Sequence, residues 1–215
     1  ATGRVPSVNC GSTWNASMRV VPPTPAGIDT AVDALRRGGL IAYPTETVYG
    51  LGADPANPRA LERLFRAKGR DAGKAVLLII GDTAQLDALT GPLSDRARTF
   101  VERFWPGPLS LLLPASGDVP RSLVGPEAKL CVRCPSCEIA RTLCRVFGGP
   151  LTSTSANPAG EPPARSVAGL ALSDIAVAVD GGMLPASPPS TIFDPETGRV
   201  LREGVIPESA LRALL

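Results

Sequence analysis

The feature that most restricts the fold of this chain is an alternation of segments at helical spacing with short apolar runs of strand length. Helical spacing of apolar residues covers residues 27–37, 94–104 and 138–147, and strand-length runs cover residues 40–43, 75–80, 109–113, 129–133 and 151–153. Further short segments at 167–172, 175–179, 190–193 and 199–201 precede a final helix from Pro207. This alternation predicts an α/β (α+β) fold in which a twisted mixed β-sheet is flanked by helices as an open sandwich.

A further helix is predicted by its end signals. Asn57 is a good N-cap, Pro58 suits the first helical position, and Leu61, Leu64 and Phe65 form an apolar stripe. The helix is expected to end near Lys68, where a glycine follows.

Length and composition favour one domain. The chain has 215 residues, of which 44% are hydrophobic, enough for a single core. Residues 1–24 contain Arg4 and Arg19 but no acidic residue, and are predicted to be a flexible leader, so that the single folded domain spans residues 25–215. No apolar run has the length of a membrane span.

The chain contains no histidine, which excludes Ser-His-Asp and Cys-His catalysis and every histidine-ligated metal site. Its five cysteines are an odd number, which argues against a disulfide framework and favours a reducing, cytoplasmic location. Cys131, Cys134 and Cys137 have a spacing that resembles a zinc or iron–sulfur site. Strand alternation would send Cys131 away from Cys134, so we interpret them as small apolar residues and expect no protein-held metal.

Three polar clusters lie where strands or helices end, a common place for binding sites in α/β proteins. They are Thr45-Glu46-Thr47, the cations Lys68, Arg70 and Lys74, and residues 153–157 with the sequence Ser-Thr-Ser-Ala-Asn. The cations suit a polyphosphate, but they also suit the negative end of a helix dipole. The hydroxyl and amide groups suit phosphate or ribose oxygens, but they are also ordinary turn residues.

Taken in order, these segments resemble the YrdC-like family, the threonylcarbamoyl-AMP synthases, in its short single-domain bacterial form. The resemblance covers about residues 27–206 and rests on AYPTETVYGL at 42–51, KGR at 68–70, FWPGP at 104–108, VR at 132–133, STSAN at 153–157 and REG at 202–204. Relatives often carry histidines where this chain has Ile79 and Cys137.

The resemblance implies a nucleotidyltransferase that converts ATP, L-threonine and bicarbonate to threonylcarbamoyl-AMP and pyrophosphate, for threonylcarbamoyladenosine modification of tRNA by a downstream transferase. It assigns the ATP side to Lys68, Arg70, Lys74, Ser155, Asn157 and Arg202, with Lys68, Arg70, Ser155 and Asn157 as the catalytic set. Threonine is assigned to Thr45, Arg133 and Ser153. Mg²⁺ is expected to arrive with the phosphates.

Two alternatives remain open from the sequence. One is a mildly basic module that binds RNA without catalysis, since the net charge is only +2. The other is formation of a carbamoyl-adenylate on the same scaffold. The synthase hypothesis itself predicts that the basic residues near 70 and the hydroxyl and amide residues near 156 form opposite walls of one polyphosphate pocket.

Overall fold

The computed structural model describes residues 18–69, 76–117, 119–158 and 160–215. Strands and helices follow one another along this part of the chain as the sequence pattern predicts. In order they are β1 (Arg19–Val21), α1 (Pro25–Arg36), β2 (Leu40–Pro44), β3 (Tyr49–Gly52), α2 (Pro58–Lys68), β4 (Leu77–Ile79), α3 (Asp95–Phe104), β5 (Leu109–Pro114), β6 (Lys129–Arg133), α4 (Glu138–Phe147), β7 (Leu151–Thr152), β8 (Thr154–Ser155), β9 (Ile175–Val179), β10 (Thr191–Asp194), β11 (Arg199–Arg202) and α5 (Glu208–Arg212).

The strands form two mixed sheets. The five-stranded sheet has the order β1-β9-β2-β3-β8, and the six-stranded sheet has the order β11-β10-β5-β6-β4-β7. Each contains parallel and antiparallel neighbours: β2 pairs with β9 in parallel and with β3 in antiparallel, as β5 does with β10 and β6. The predicted α/β class with mixed strand pairing and flanking helices is confirmed, with the pairing divided between two sheets.

Helix α2 shows how local sequence fixes the limits of a helix. Asn57 accepts hydrogen bonds from the backbone N–H groups of Arg59 and Ala60, and Pro58 fills the first helical position. The helix ends at Gly69, whose φ of 55° lies in the left-handed region that glycine adopts without strain. These signals place Lys68 in the last turn, where the chain leaves the helix.

Buried apolar residues form two clusters. One includes Leu64, Phe100, Leu111 and Phe193, and draws on both sheets, α2 and α3. The other includes Leu35, Tyr43 and Leu143, from α1, β2 and α4. Burial on two faces explains why strands β2 and β5 are apolar almost throughout.

Three strands were not predicted from the sequence. Strand β3 lies within the polar segment 44–52 that was interpreted as a tight turn, β8 lies within the STSAN cluster, and β1 pairs in parallel with β9. Strand β1 falls inside residues 1–24, so part of the segment predicted as a flexible leader is paired in a sheet, whereas residues 1–17 lie outside the described residues. Residues 167–172 contain a short 3₁₀ turn, Val167–Gly169.

The cysteines in the described part of the chain lie in or beside the core. Cys131, Cys134 and Cys144 are buried, Cys137 is partly buried, and none of the four forms a disulfide among the described residues. Burial raises the pKa of the Cys134 thiol to about 11 and also raises the pKa of Cys144. Among the described residues no group of three or more histidine, cysteine, aspartate or glutamate side chains could hold a metal ion.

We expect these buried thiols to resist alkylation in the folded protein at pH 8, because they are inaccessible and burial disfavours the thiolate. Iodoacetamide labelling followed by peptide mass spectrometry should modify Cys137 faster than Cys134. In denaturant the two should react at similar rates. Equal labelling of Cys134 in the folded and unfolded states would contradict its burial.

The pKa of Cys134 is higher in the folded protein than in the unfolded chain. The stabilisation that comes from keeping this thiol protonated should therefore be lost as the pH rises from about 9 to 11.

No helix in the described ranges combines the length and apolarity needed to cross a lipid bilayer.

Candidate functional site

A cleft with a volume of about 400 Å³ lies between the two sheets. One side is formed by the turn between β2 and β3 and by strand β8, and the other by β6, β10 and β11. The residues that connect β7 to β8 cross between them. The lining residues include the predicted site residues Thr45, Arg133, Ser153, Ser155, Asn157 and Arg202, together with Ser190 and Glu161.

Thr45 shapes the turn between β2 and β3. Its Oγ1 atom accepts hydrogen bonds from the N–H groups of Thr47 and Val48, each at 3.2 Å, and donates to the carbonyl oxygen of Val48 at 2.7 Å. Thr45 and Thr47 are buried. The turn is therefore held by its own side chains, and Thr45 lies in the cleft wall as predicted.

Arg133 is the most deeply buried cation that lines the cleft. It lies at the end of β6 and is only 2% exposed. Its Nη2 atom lies 3.5 Å from Oε2 of Glu46, and its Nε atom has no hydrogen-bond partner among the described residues. Because a buried guanidinium is costly without partners, this arrangement favours an anionic ligand in the cleft.

Arg202 supplies a second guanidinium from β11. Its Nε and Nη2 atoms donate to the carbonyl oxygen of Ser190 at 3.1 and 2.8 Å, and Nη2 also lies 3.1 Å from the Ser190 hydroxyl. That hydroxyl is 2.9 Å from the hydroxyl of Ser110. Although Arg202 is exposed overall, partial desolvation of its guanidinium lowers its pKa; the nearby Cys131 opposes this shift and the charge of Arg133 adds to it. Ser190 was not identified from the sequence as a site residue, because it begins the short predicted segment 190–193 and no motif marks it.

Lys68 lies against the STSAN loop. Its Nζ atom donates to the carbonyl oxygens of Ser155, at 2.8 Å, and Asn157, and lies 3.3 Å from the Asn157 amide oxygen. Asn157 in turn donates from its amide nitrogen to the carbonyl oxygens of Pro158 and Glu161. Lys68 is 8% exposed. Its ammonium group therefore joins the C-terminal end of α2 to the loop at residues 155–157.

The prediction that the basic and hydroxyl–amide residues form opposite walls needs correction for Lys68. The structure brings Lys68 and the 155–157 loop into direct contact, on one side of the cleft. The reason is the αL end of α2, which leaves the Lys68 side chain next to the loop carbonyls. Arg70 and Lys74 lie outside the described residues.

Ser153 lies where the chain passes from one sheet to the other. Its N–H group donates to the carbonyl oxygen of Leu77 at 2.8 Å, and its side chain is buried. A Cβ atom on Gly50 would lie 3.0 Å from the Ser153 hydroxyl oxygen. Glycine at position 50 therefore leaves room for this hydroxyl in the cleft wall.

Fold and cleft together describe a mixed α/β protein in which a buried guanidinium lines a cleft between two sheets. A family model described as telomere recombination, the Sua5/YciO/YrdC model, matches residues 33–204. The chain belongs to the Sua5/YciO/YrdC family, which confirms the family resemblance predicted from the sequence.

Relatives of known activity cover most of the chain. The threonylcarbamoyl-AMP synthase of Chromohalobacter salexigens is 45% identical over 177 residues, which are 81% of this chain and 96% of that protein. The threonylcarbamoyl-AMP synthase of Xanthomonas campestris is 41% identical over 191 residues, 85% of this chain and 100% of that protein.

A solved structure extends the comparison to the fold. The crystal structure of P. abyssi Sua5 complexed with L-threonine has a TM-score of 0.85 and 34% sequence identity, and covers 93% of this chain. This chain spans 61% of the length of that protein.

Proposed function

We propose that this chain synthesises threonylcarbamoyl-AMP from ATP, L-threonine and bicarbonate, with release of pyrophosphate. The observation that carries the proposal is the buried guanidinium of Arg133. It lines the cleft, and its Nε atom has no hydrogen-bond partner among the described residues. A carboxylate or carbamate is the partner that such a group binds best. Relatives with this activity, similar over most of the chain, support the same reaction.

The reaction requires two bond-forming steps. The amino nitrogen of threonine first forms a carbamate with bicarbonate, and water and a proton leave. A carbamate oxygen then attacks the α-phosphorus of ATP, and the bond to pyrophosphate breaks. The chemistry demands that two anions be placed in line and that developing charge be neutralised, which cations and backbone dipoles achieve without a histidine base.

The residues divide between the two substrates. Arg133 binds the carboxylate or carbamate of threonine, with Thr45 and Ser153 beside it in the cleft wall. Arg202, Ser155 and Asn157 bind the nucleotide, together with Arg70 and Lys74. Lys68 contributes positive charge and fixes the conformation of the 155–157 loop that binds the nucleotide.

Mg²⁺ enters with the ATP phosphates, held by phosphate oxygens and water, with Glu161 as a carboxylate in the cleft lining. The product is an activated anhydride that a transferase in the cytoplasm consumes in modifying an adenosine of tRNA. Direct RNA contacts by this chain are weak and secondary in this scheme.

The test is pyrophosphate release from ATP and Mg²⁺, measured with and without L-threonine and bicarbonate. We expect release only when both are present, and threonylcarbamoyl-AMP in the mixture by mass spectrometry. Pyrophosphate release at the same rate without threonine and bicarbonate would contradict the proposal. Dependence on carbamoyl phosphate instead would favour carbamoyl-adenylate formation, and salt-sensitive RNA binding without any turnover would favour an RNA-binding module.

A further inference from the structure

Glu46 connects two parts of the cleft that are distant in sequence. It follows Thr45 in the turn between β2 and β3, and its side chain reaches the segment after β6. Its Oε1 atom accepts a hydrogen bond from the N–H group of Ser136 at 3.2 Å, and its Oε2 atom lies 3.5 Å from Nη2 of Arg133. One carboxylate therefore contacts a backbone donor and a buried cation at the same time.

The backbone around Glu46 holds this carboxylate in place. The Oγ1 atom of Thr45 accepts hydrogen bonds from the N–H groups of Thr47 and Val48, so the residues on either side of Glu46 are joined by side-chain contacts. The N–H group of Thr45 donates to the carbonyl oxygen of Val48 at 3.1 Å, which closes the turn. Glu46 is thus presented on a rigid turn, and its position determines where it meets Arg133.

The contact with Glu46 satisfies only part of the Arg133 side chain. At 3.5 Å the contact with Nη2 is long for a charge-assisted hydrogen bond, and Nε has no partner among the described residues. The Arg133 side chain is 3% exposed, whereas that of Glu46 is 19% exposed. Glu46 therefore approaches from the more open side, and the Arg133 side chain keeps hydrogen-bonding capacity for a second anion.

We propose that Glu46 is a positioning residue for the amino-acid substrate: it fixes the Arg133 guanidinium in the orientation that receives the threonine carboxylate or carbamate. The inference rests on the proposed function. Glu46 does not line the cleft, so it acts through Arg133 and touches no substrate. A buried guanidinium without this anchor would sample other orientations, and each substrate molecule would have to order it on binding.

The decisive variant is Glu46→Gln. Ser136 N–H and Arg133 Nη2 contact different oxygen atoms of Glu46, and glutamine replaces one of these oxygens with an NH2 group that only donates, so one of the two donors would face another donor. We expect the affinity for L-threonine, measured by isothermal titration calorimetry, to fall about tenfold, as for loss of a hydrogen bond to a charged group. The affinity for ATP should change by less than about twofold, because Glu46 has no contact with the nucleotide side.

Glu62→Gln is the matched control, since Glu62 is an exposed residue of α2 and the substitution changes net charge equally. Glu46→Ala is the second variant, should the glutamine side chain perturb the turn, and thermal unfolding checks both. Wild-type threonine affinity in a folded Glu46 variant would overturn the inference alone. Equal loss of threonine and ATP binding would also overturn it, as a general structural effect. A wild-type protein that neither binds threonine nor releases pyrophosphate would overturn the proposed function and this inference together.

Discussion

Replacement of Lys68 by methionine is expected to reduce threonine-dependent pyrophosphate release by at least about 100-fold, in the range for loss of a preorganised cation or donor at a charged transition state. Methionine has a similar length and fits the nearly buried site, but it donates no hydrogen bond. The carbonyl oxygens of Ser155 and Asn157 would lose the ammonium group that they share. The loop at residues 155–157, which we propose contacts the nucleotide, would lose its contact with the Lys68 ammonium group.

Stability should fall as well as turnover, because the carbonyl oxygen of Asn157 would lose its ammonium donor, and a buried acceptor that loses its donor costs about 1–3 kcal/mol. Arg66→Met is the control: Arg66 is an exposed cation in the same turn of α2, and its replacement should leave turnover and the denaturation midpoint close to the wild-type values. Urea denaturation and turnover are measured on both proteins. A Lys68→Met protein with wild-type turnover would remove Lys68 from the catalytic set, and an unchanged denaturation midpoint would exclude a stabilising role for its contact with the loop.

Replacement of Arg133 by glutamine should raise the KM for L-threonine by about 100-fold, as expected when one partner of a desolvated charge pair is removed. Glutamine keeps a hydrogen-bonding side chain in the buried position but has no charge to offer a carboxylate. Glu46 is part-exposed and tolerates loss of its partner better than a buried acid would.

In this variant we expect the KM for L-threonine to change while the affinity for ATP does not. Turnover is followed over a range of threonine concentrations at saturating ATP, and ATP binding is measured separately. Thermal unfolding controls for the fold. An Arg133→Gln protein that loses ATP affinity to the same extent would place Arg133 on the nucleotide side, and unchanged kinetics would remove it from the site.

Much of the fold follows from local sequence signals. The Asn57 cap, Pro58 and Gly69 act within a few residues of the helix that they bound, so the extent of α2 was predictable. Strand β3 was missed because Gly50 and Gly52 are poor strand formers. They are required here by a contact that sequence does not show, since a Cβ atom on Gly52 would lie 2.7 Å from the Tyr43 ring.

The candidate site, like the fold, has one part that the sequence predicts and another that depends on tertiary contacts. The polar clusters are visible in the sequence, and Arg133, Ser153 and Arg202 do line one cleft. Their partners depend on pairings between distant strands: Glu46 meets Arg133 across 87 positions, and Ser190 is the acceptor for Arg202 because β10 and β11 form a hairpin. The contact of Lys68 with the loop at 155–157 also spans more than 80 positions, so its geometry could not be derived from spacing.

The position of Ser153 between the two sheets limits where the chain can accept an insertion or a deletion. Strand β7 pairs with β4 in the six-stranded sheet and β8 pairs with β3 in the five-stranded sheet, so one residue carries the chain across. An inserted or deleted residue at this crossover would reverse the direction in which the following strand presents its hydroxyl groups. The connection between β7 and β8 should therefore keep a constant number of residues, whereas loops that join strands of the same sheet should tolerate insertions and deletions.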